Sequence, residues 1–232
     1  MRYARSSAWR PRSSSRSPRW TARASTQPGT ASRRPVVSRP YKGRDKYAAK
    51  ARAKGYEARS IFKLEQIAAK YPQLLRRGGR VVDLGCYPGS WTRYALEVTG
   101  PKGVVVGVDF SAPRVSGATF FEASALDVTS EQLGDVLGGK ATTVLSDMAP
   151  PTTGDKTGDH YRQIELARRA LEVACDLLEP GGHFVCKVFE GGDAQDFVME
   201  AKQRFKTVKR MRPDAVRKVS REWFLVAMGY KG

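Results

Sequence analysis

At 232 residues, 41% hydrophobic and 28% charged, the chain can bury one core of ordinary size, and none of its apolar runs approaches the ~18 residues of a bilayer-spanning helix. A formal charge of +18 and a pI near 10.1 point to a polyanionic partner, nucleic acid ahead of a membrane surface. Cys86, Cys175 and Cys186 lack Cys-x-x-Cys spacing and read as reduced thiols of an intracellular protein, while His160 and His183 are too few and too scattered for a metal site.

Residues 1–40 hold ten arginines and nine serines, with neither lysine nor an acidic residue. No hydrophobic period runs through them, so a disordered tail is expected. It could be an RNA-binding arm, an organelle transit peptide or a dispensable extension. The extension is the preferred reading, an internal start then needing a codon such as that of Val36. Removing the ten arginines leaves +18 − 10 = +8, so the expected folded domain, residues 41–232, is basic in its own right.

From Tyr41 to Lys63, eight cations (Lys42, Arg44, Lys46, Lys50, Arg52, Lys54, Arg59 and Lys63) face only Asp45 and Glu57, with Tyr41, Tyr47, Tyr56 and Phe62 interleaved. Cations for phosphates and aromatics for bases suit RNA, the alternative being a solvated helical face. From Ala58, the spacing of Ile61, Leu64, Ile67 and Ala68 predicts a helix ending near Tyr71-Pro72, with Lys63 beside the apolar stripe.

Next comes Val81 to Trp91, reading Val-Val-Asp-Leu-Gly-Cys-Tyr-Pro-Gly-Ser-Trp. An apolar strand runs into Asp83, and Gly85 and Gly89 allow a turn whose backbone comes close to a ligand before a helix begins. The spacing is neither the dinucleotide fingerprint nor a phosphate loop, which argues for a cofactor without a pyrophosphate. A merely tight connection is the competing explanation.

Thereafter strands and helices alternate. Strands are predicted at Arg80–Gly85, Gly103–Asp109, Ala118–Phe121, Thr142–Asp147 and Gly182–Phe189, then near Thr207–Arg212 and Glu222–Met228. Helices are predicted at Ser90–Thr99, Ser130–Leu137, His160–Leu178 and Ala194–Phe205, with Pro180-Gly181-Gly182 ending the long one. The pattern is that of an α/β protein, a Rossmann-like, seven-stranded, mostly parallel sheet with helices on both faces. Ligands then bind beyond the carboxyl ends of the strands, where Asp83, Asp109, Asp147 and Lys187–Glu190 fall.

Asp109, ending an apolar run, can accept both hydroxyls of a ribose, or merely cap a loop. Asp127 would sit near an adenine edge unless Ser124 takes that place. Asp147 ends a strand before a loop, 150–159, rich in Pro, Thr, Gly and Asp, and a carboxylate at a buried strand end needs a partner. Lys187 lies in Phe184-Val-Cys-Lys-Val-Phe189, too apolar for a solvent-facing strand, and burial favours the neutral amine that a base requires. Glu222 opens the last strand, which makes Lys63, Asp147, Lys187 and Glu222 candidates for one site.

Phe62-Lys63-Leu64, Asp83 to Trp91, Ser146-Asp-Met-Ala-Pro150, Gly181 to Phe189 and Ser220-Arg-Glu222 resemble, in order, the motifs of the FtsJ/RrmJ family of S-adenosylmethionine-dependent ribosomal RNA 2′-O-methyltransferases. The resemblance spans about residues 41–232 and implies a class I methyltransferase fold with a catalytic tetrad of Lys63, Asp147, Lys187 and Glu222. It implies S-adenosyl-L-methionine as cofactor, bound by Gly89, Trp91, Asp109, Asp127 and Asp147, and no metal. It further implies, as target, a uridine ribose in the peptidyl-transferase A-loop of large-subunit rRNA, modified late in ribosome assembly. Two departures stand out: Cys86-Tyr-Pro-Gly-Ser90 replaces the family's Ala-Ala-Pro-Gly-Gly, and Ala123-Ser124 replaces its Gly-Asp. A monomer is expected, acting on large-subunit rRNA or on the large ribosomal particle in the cytoplasm, or in mitochondria if the tail is a transit peptide. Rival readings are a 2′-O-methyltransferase of transfer RNA or a messenger cap, and an RNA-binding assembly factor without catalysis.

Overall fold

The computed structural model describes residues 46–151 and 153–232; the expected tail, 1–40, and the first residues of the basic stretch lie outside them. Two helices, α1 (Lys46–Ala53) and α2 (Ile61–Lys70), precede β1 (Arg80–Leu84), α3 (Ser90–Thr99), β2 (Val104–Asp109) and β3 (Thr119–Glu122). There follow α4 (Ser130–Leu137), β4 (Ala141–Ser146), α5 (Lys156–Leu177), β5 (Leu178–Phe189), α6 (Ala194–Arg204), β6 (Phe205–Met211) and β7 (Glu222–Tyr230). The seven strands form one sheet in the order β3-β2-β1-β4-β5-β7-β6. The first five pair in parallel, and β7 runs antiparallel between β5 and β6.

Alternation along the strands sorts the side chains into two layers. Val82, Leu84, Val106, Val108, Val144, Phe184 and Cys186 join Leu133 of α4, Ile164, Ala167, Leu171 and Ala174 of α5, and Phe197 of α6. On the opposite face, Val81, Val105, Leu145, Val185, Phe224 and Val226 pack against Leu64 and Ile67 of α2 and Trp91 and Ala95 of α3. Helices therefore cover both faces, as expected for a largely parallel sheet.

Three features depart from the sequence reading. The helix α1 leaves no hydrophobic signal, because Lys-Tyr-Ala-Ala-Lys-Ala-Arg-Ala has no apolar stripe; alanine and long-chain cations supply propensity instead. The long helix begins at Lys156 rather than His160, since the Asp155 side chain accepts the amide of Thr157 and starts it early. It also ends at Leu177, and Pro180-Gly181-Gly182 lie inside β5. Ala141 pairs with Leu178 but Thr143 pairs with His183, so residues 179–182 loop out of a strand that has already begun.

Phe184 is fully buried and its ring stacks on that of Phe205 at 6.1 Å between centroids. Phe184→Ala is expected to lower the unfolding free energy by about 3–5 kcal/mol. Urea denaturation measures it, and a loss under about 1 kcal/mol would mean that the two-layer packing is wrong at the sheet centre.

Candidate active site

β1 leads to α3 on one face and β4 leads to α5 on the other, so a crevice opens at the carboxyl ends of these adjacent central strands. Leaving β1, the chain turns through Gly85 (φ 79°) and Gly89 (φ 114°), which precedes the first turn of α3. A Cβ on Gly85 would stand 2.9 Å from the backbone nitrogen of Met148, and one on Gly89 would stand 2.5 Å from Val115 Cγ2. Close passage of protein over protein demands both glycines, quite apart from any ligand.

Beside this turn lies a cavity of about 510 Å³ lined by Tyr87, Asp109, Phe110, Ser124, Leu126, Asp147 and Met148 among others. Phe110 is 75% exposed, and Leu126 and Tyr87 are also open to solvent. Asp109, at the end of β2, accepts the amide of Tyr87 at 3.0 Å through Oδ2. Ser124 lines the cavity while Asp127 does not; Asp127 is exposed, next to a turn in which the Ser124 hydroxyl accepts the Leu126 amide at 3.1 Å. Trp91 also lies away from the cavity. Its ring is buried against Phe224, and Nε1 donates to the Ser60 carbonyl at 2.9 Å. Gly89 and Trp91 can face a ligand here only through the backbone at the start of α3.

Lys63, Asp147, Lys187 and Glu222 come together at the same strand ends. Cys186 and Val188 point into one layer of the core, so Lys187 between them points to the other, toward α2. Glu222 starts β7 opposite Phe189, two residues beyond Lys187 on β5, and lands on that same face. Lys63, from the first turn of α2, closes the group. Its Nζ lies 2.8 Å from Glu222 Oε1 and 3.8 Å from Asp147 Oδ1, and Lys187 Nζ lies 3.1 Å from the same Asp147 oxygen. Lys187 Nζ also donates to the Asp147 carbonyl. The exposures of Lys63 and Lys187 are only 9% and 6%, so the order Glu⁻–Lys⁺–Asp⁻–Lys⁺ is what makes their charges tolerable. Burial pushes the Lys63 ammonium down, but Asp147 and Glu222 outweigh it and hold its pKa above the ordinary lysine value.

One supporting residue escapes the sequence reading, and a second, Asp83, has surroundings it does not foresee. Gln163 of α5, 1% exposed, donates to the Lys187 carbonyl at 2.6 Å and accepts the Phe189 amide at 3.1 Å, clamping the strand that carries Lys187. A glutamine next to Ile164 on the buried side of a helix is the available signal. Asp83 sits at a strand end as expected, yet it is wholly buried, with Oδ2 accepting the Thr92 hydroxyl at 2.7 Å and Oδ1 without a partner among the described residues. Burial pushes its pKa up to about 7, opposed by the Thr92 hydrogen bond and reinforced by the negative charges of Asp147 and Asp109.

The cavity suits S-adenosylmethionine: apolar side chains such as Phe110 and Leu126 offer flat walls to a purine, Asp109 a carboxylate for a ribose diol, and Asp147 a negative group for a sulfonium. Among the described residues, no group of three or more His, Cys, Asp or Glu side chains is arranged to hold a metal ion.

Residues 56–230 match the model of the FtsJ-like methyltransferases. The chain is 42% identical over 190 residues to the ribosomal RNA large subunit methyltransferase E of Desulforapulum autotrophicum, covering 81% of this chain and 93% of that one. To the protein of the same name from Acidiphilium cryptum it is 44% identical over 189 residues, covering 81% and 83%. A solved chain described as a ribosomal RNA methyltransferase of Plasmodium falciparum superposes with a TM-score of 0.68 at 25% identity, over 76% of this chain and all of that one.

An acid whose pKa is raised in the fold favours the folded state fully below its unfolded value. That advantage is lost as pH rises from about 4 to about 7. Asp83→Asn should remove this slope. Unfolding free energies at pH 4.5 and pH 7.5 should then show the variant gaining on the parent by about 3 kcal/mol. A difference that stays constant between the two pH values would mean that Asp83 does not titrate there.

Proposed function

The chain belongs to the FtsJ-like methyltransferase family, and on that premise we propose that it methylates a ribose 2′-hydroxyl of large-subunit ribosomal RNA. The interleaving of Lys63, Asp147, Lys187 and Glu222 beside the 510 Å³ cavity is the observation that carries the chemistry. The names of the relatives support the rRNA target. The finer assignment, an A-loop uridine modified late in ribosome assembly, follows from the family resemblance.

S-adenosyl-L-methionine, when bound, supplies an electrophilic methyl group on a sulfonium sulfur. Asp109 would hold the cofactor ribose, Asp147 would face the sulfonium end, and Ser124 is better placed than Asp127 to meet the adenine. A sugar hydroxyl is a weak nucleophile, so the protein must orient it and accept its proton as the new bond to carbon forms. Lys187 takes that proton. To do so it must first give up its own ammonium proton, and the N–H it directs at the Asp147 carbonyl keeps its Nζ in place. Asp147 is its orienting partner, and Lys63 with Glu222 positions the attacking ribose.

Lys187→Ala should reduce methyl incorporation into large-subunit rRNA by about 10²-fold or more, with the affinity for S-adenosylhomocysteine unchanged. Tritiated-methyl transfer and calorimetry measure the two. Turnover equal to that of the parent would sink the assignment of Lys187.

A further inference from the structure

The segment between β6 and β7 is unusually well braced for a surface loop. Arg212 donates through Nη2 to the carbonyls of Arg217 (3.1 Å), Lys218 (3.4 Å) and Ser220 (2.6 Å), and through Nη1 to that of Glu222 at 3.0 Å. Its guanidinium is the loop's internal frame. Ala215 and Val216 anchor the other side, both buried, with the Ala215 amide bonded to Gln66 of α2 at 3.2 Å and its carbonyl accepting from Arg59. The Arg221 carbonyl accepts the Glu190 amide at 2.9 Å, and the Arg221 guanidinium donates back to the Glu190 carbonyl.

What this frame presents is Val219, 77% exposed and the most exposed large hydrophobic side chain among the described residues. Phe110, Leu126 and Tyr87, the other very open ones near the site, line the cavity, and Val219 does not. Its segment is cationic: residues 209–221 hold Lys209, Arg210, Arg212, Arg217, Lys218 and Arg221 with one acid, Asp214, although Arg210 pairs with Glu190 and Arg212 is turned into the loop. A lone exposed valine is ordinary on most surfaces. Here it rides on a loop fixed by the Arg212 frame and the Ala215 anchor, and three residues further on comes Glu222, within about 10 Å of chain.

We propose that residues 217–221 form an RNA-contacting knuckle. Val219 packs against the base of a nucleotide next to the one whose ribose enters the site, and Lys218 and Arg221 meet the flanking phosphates. The partner is an unpaired RNA segment, because only there is a base face open to an apolar side chain. The proposal rests on the protein being an RNA 2′-O-methyltransferase. It adds the element that presents one nucleotide to Lys63 and Glu222.

The full chain carrying p-benzoylphenylalanine at position 219 should, on irradiation with large-subunit rRNA, crosslink to nucleotides flanking the methylated one. Val219→Asp should lower kcat/KM for that RNA by roughly fivefold or more, and Val219→Thr, nearly isosteric and safe for folding, by a smaller factor, with S-adenosylhomocysteine affinity unchanged. Crosslinks remote from the methylated nucleotide or absent, or a Val219→Asp variant as active as the parent, would overturn the knuckle while leaving the methyltransferase reading intact. A parent chain that transfers no methyl group to rRNA would overturn both.

Discussion

Four ionisable groups that could not survive burial singly survive together. Removing one partner from a buried ion pair costs about 3–5 kcal/mol because the survivor is left uncompensated, so the cluster of Lys63, Asp147, Lys187 and Glu222 binds four separate elements to one geometry. α2 must dock on the sheet face that Lys187 selects. β4 must end level with β5, and β7 must start where β5 stops. The short Lys63–Glu222 contact ties the first part of the domain to its last strand, and Asp147 links both to the sheet centre. Little of the fold could be displaced without exposing an unpaired charge.

Beside this cluster the crevice has a different character. Its walls are largely apolar, with Asp109, Asp147 and Glu165 as its acids, and Asp83 is sealed beneath the glycine turn with a carboxyl group whose pKa burial has raised to about 7. α1 and the β6–β7 loop carry cations instead. Lys46, Lys50 and Lys54 lie one turn apart along α1 and just beyond it, with Lys46 over the Tyr47 ring and Lys50 and Lys54 over that of Phe62, and the β6–β7 loop, packed on α1 and α2 through Ala215, adds more. For the proposed reaction, a small cationic cofactor and a large polyanion would thus meet surfaces of different electrostatic character, with the tetrad between them.

Strand alternation and apolar runs make the central sheet legible, since β1, β2, β4 and β5 are buried on both faces and read as continuous hydrophobic stretches. Lys187 and Asp147 are conspicuous because a charge in such a run needs a partner. Features that depend on hydrogen bonding rather than hydrophobicity are harder to see. The helix α1 has no apolar period, the start of α5 is set by the Asp155 cap, and the exit from α5 is decided by Leu178 pairing with Ala141 ahead of the Pro-Gly-Gly. Asp127 and Trp91 show a related limit: a residue's place in a motif gives its position along the backbone, while the direction of its side chain is set by packing that one sequence does not display.

The antiparallel strand β7 lies between β5 and β6, although β6 precedes it in the chain. Among the described residues β6 pairs with no strand but β7, so it joins the sheet only through that strand. That same docking brings in Glu222. Closure of the sheet and completion of the tetrad therefore depend on one and the same docking. A chain arrested before that step has an open sheet edge and lacks Glu222 from the cluster, so on the proposed function activity would report that the last strand has docked.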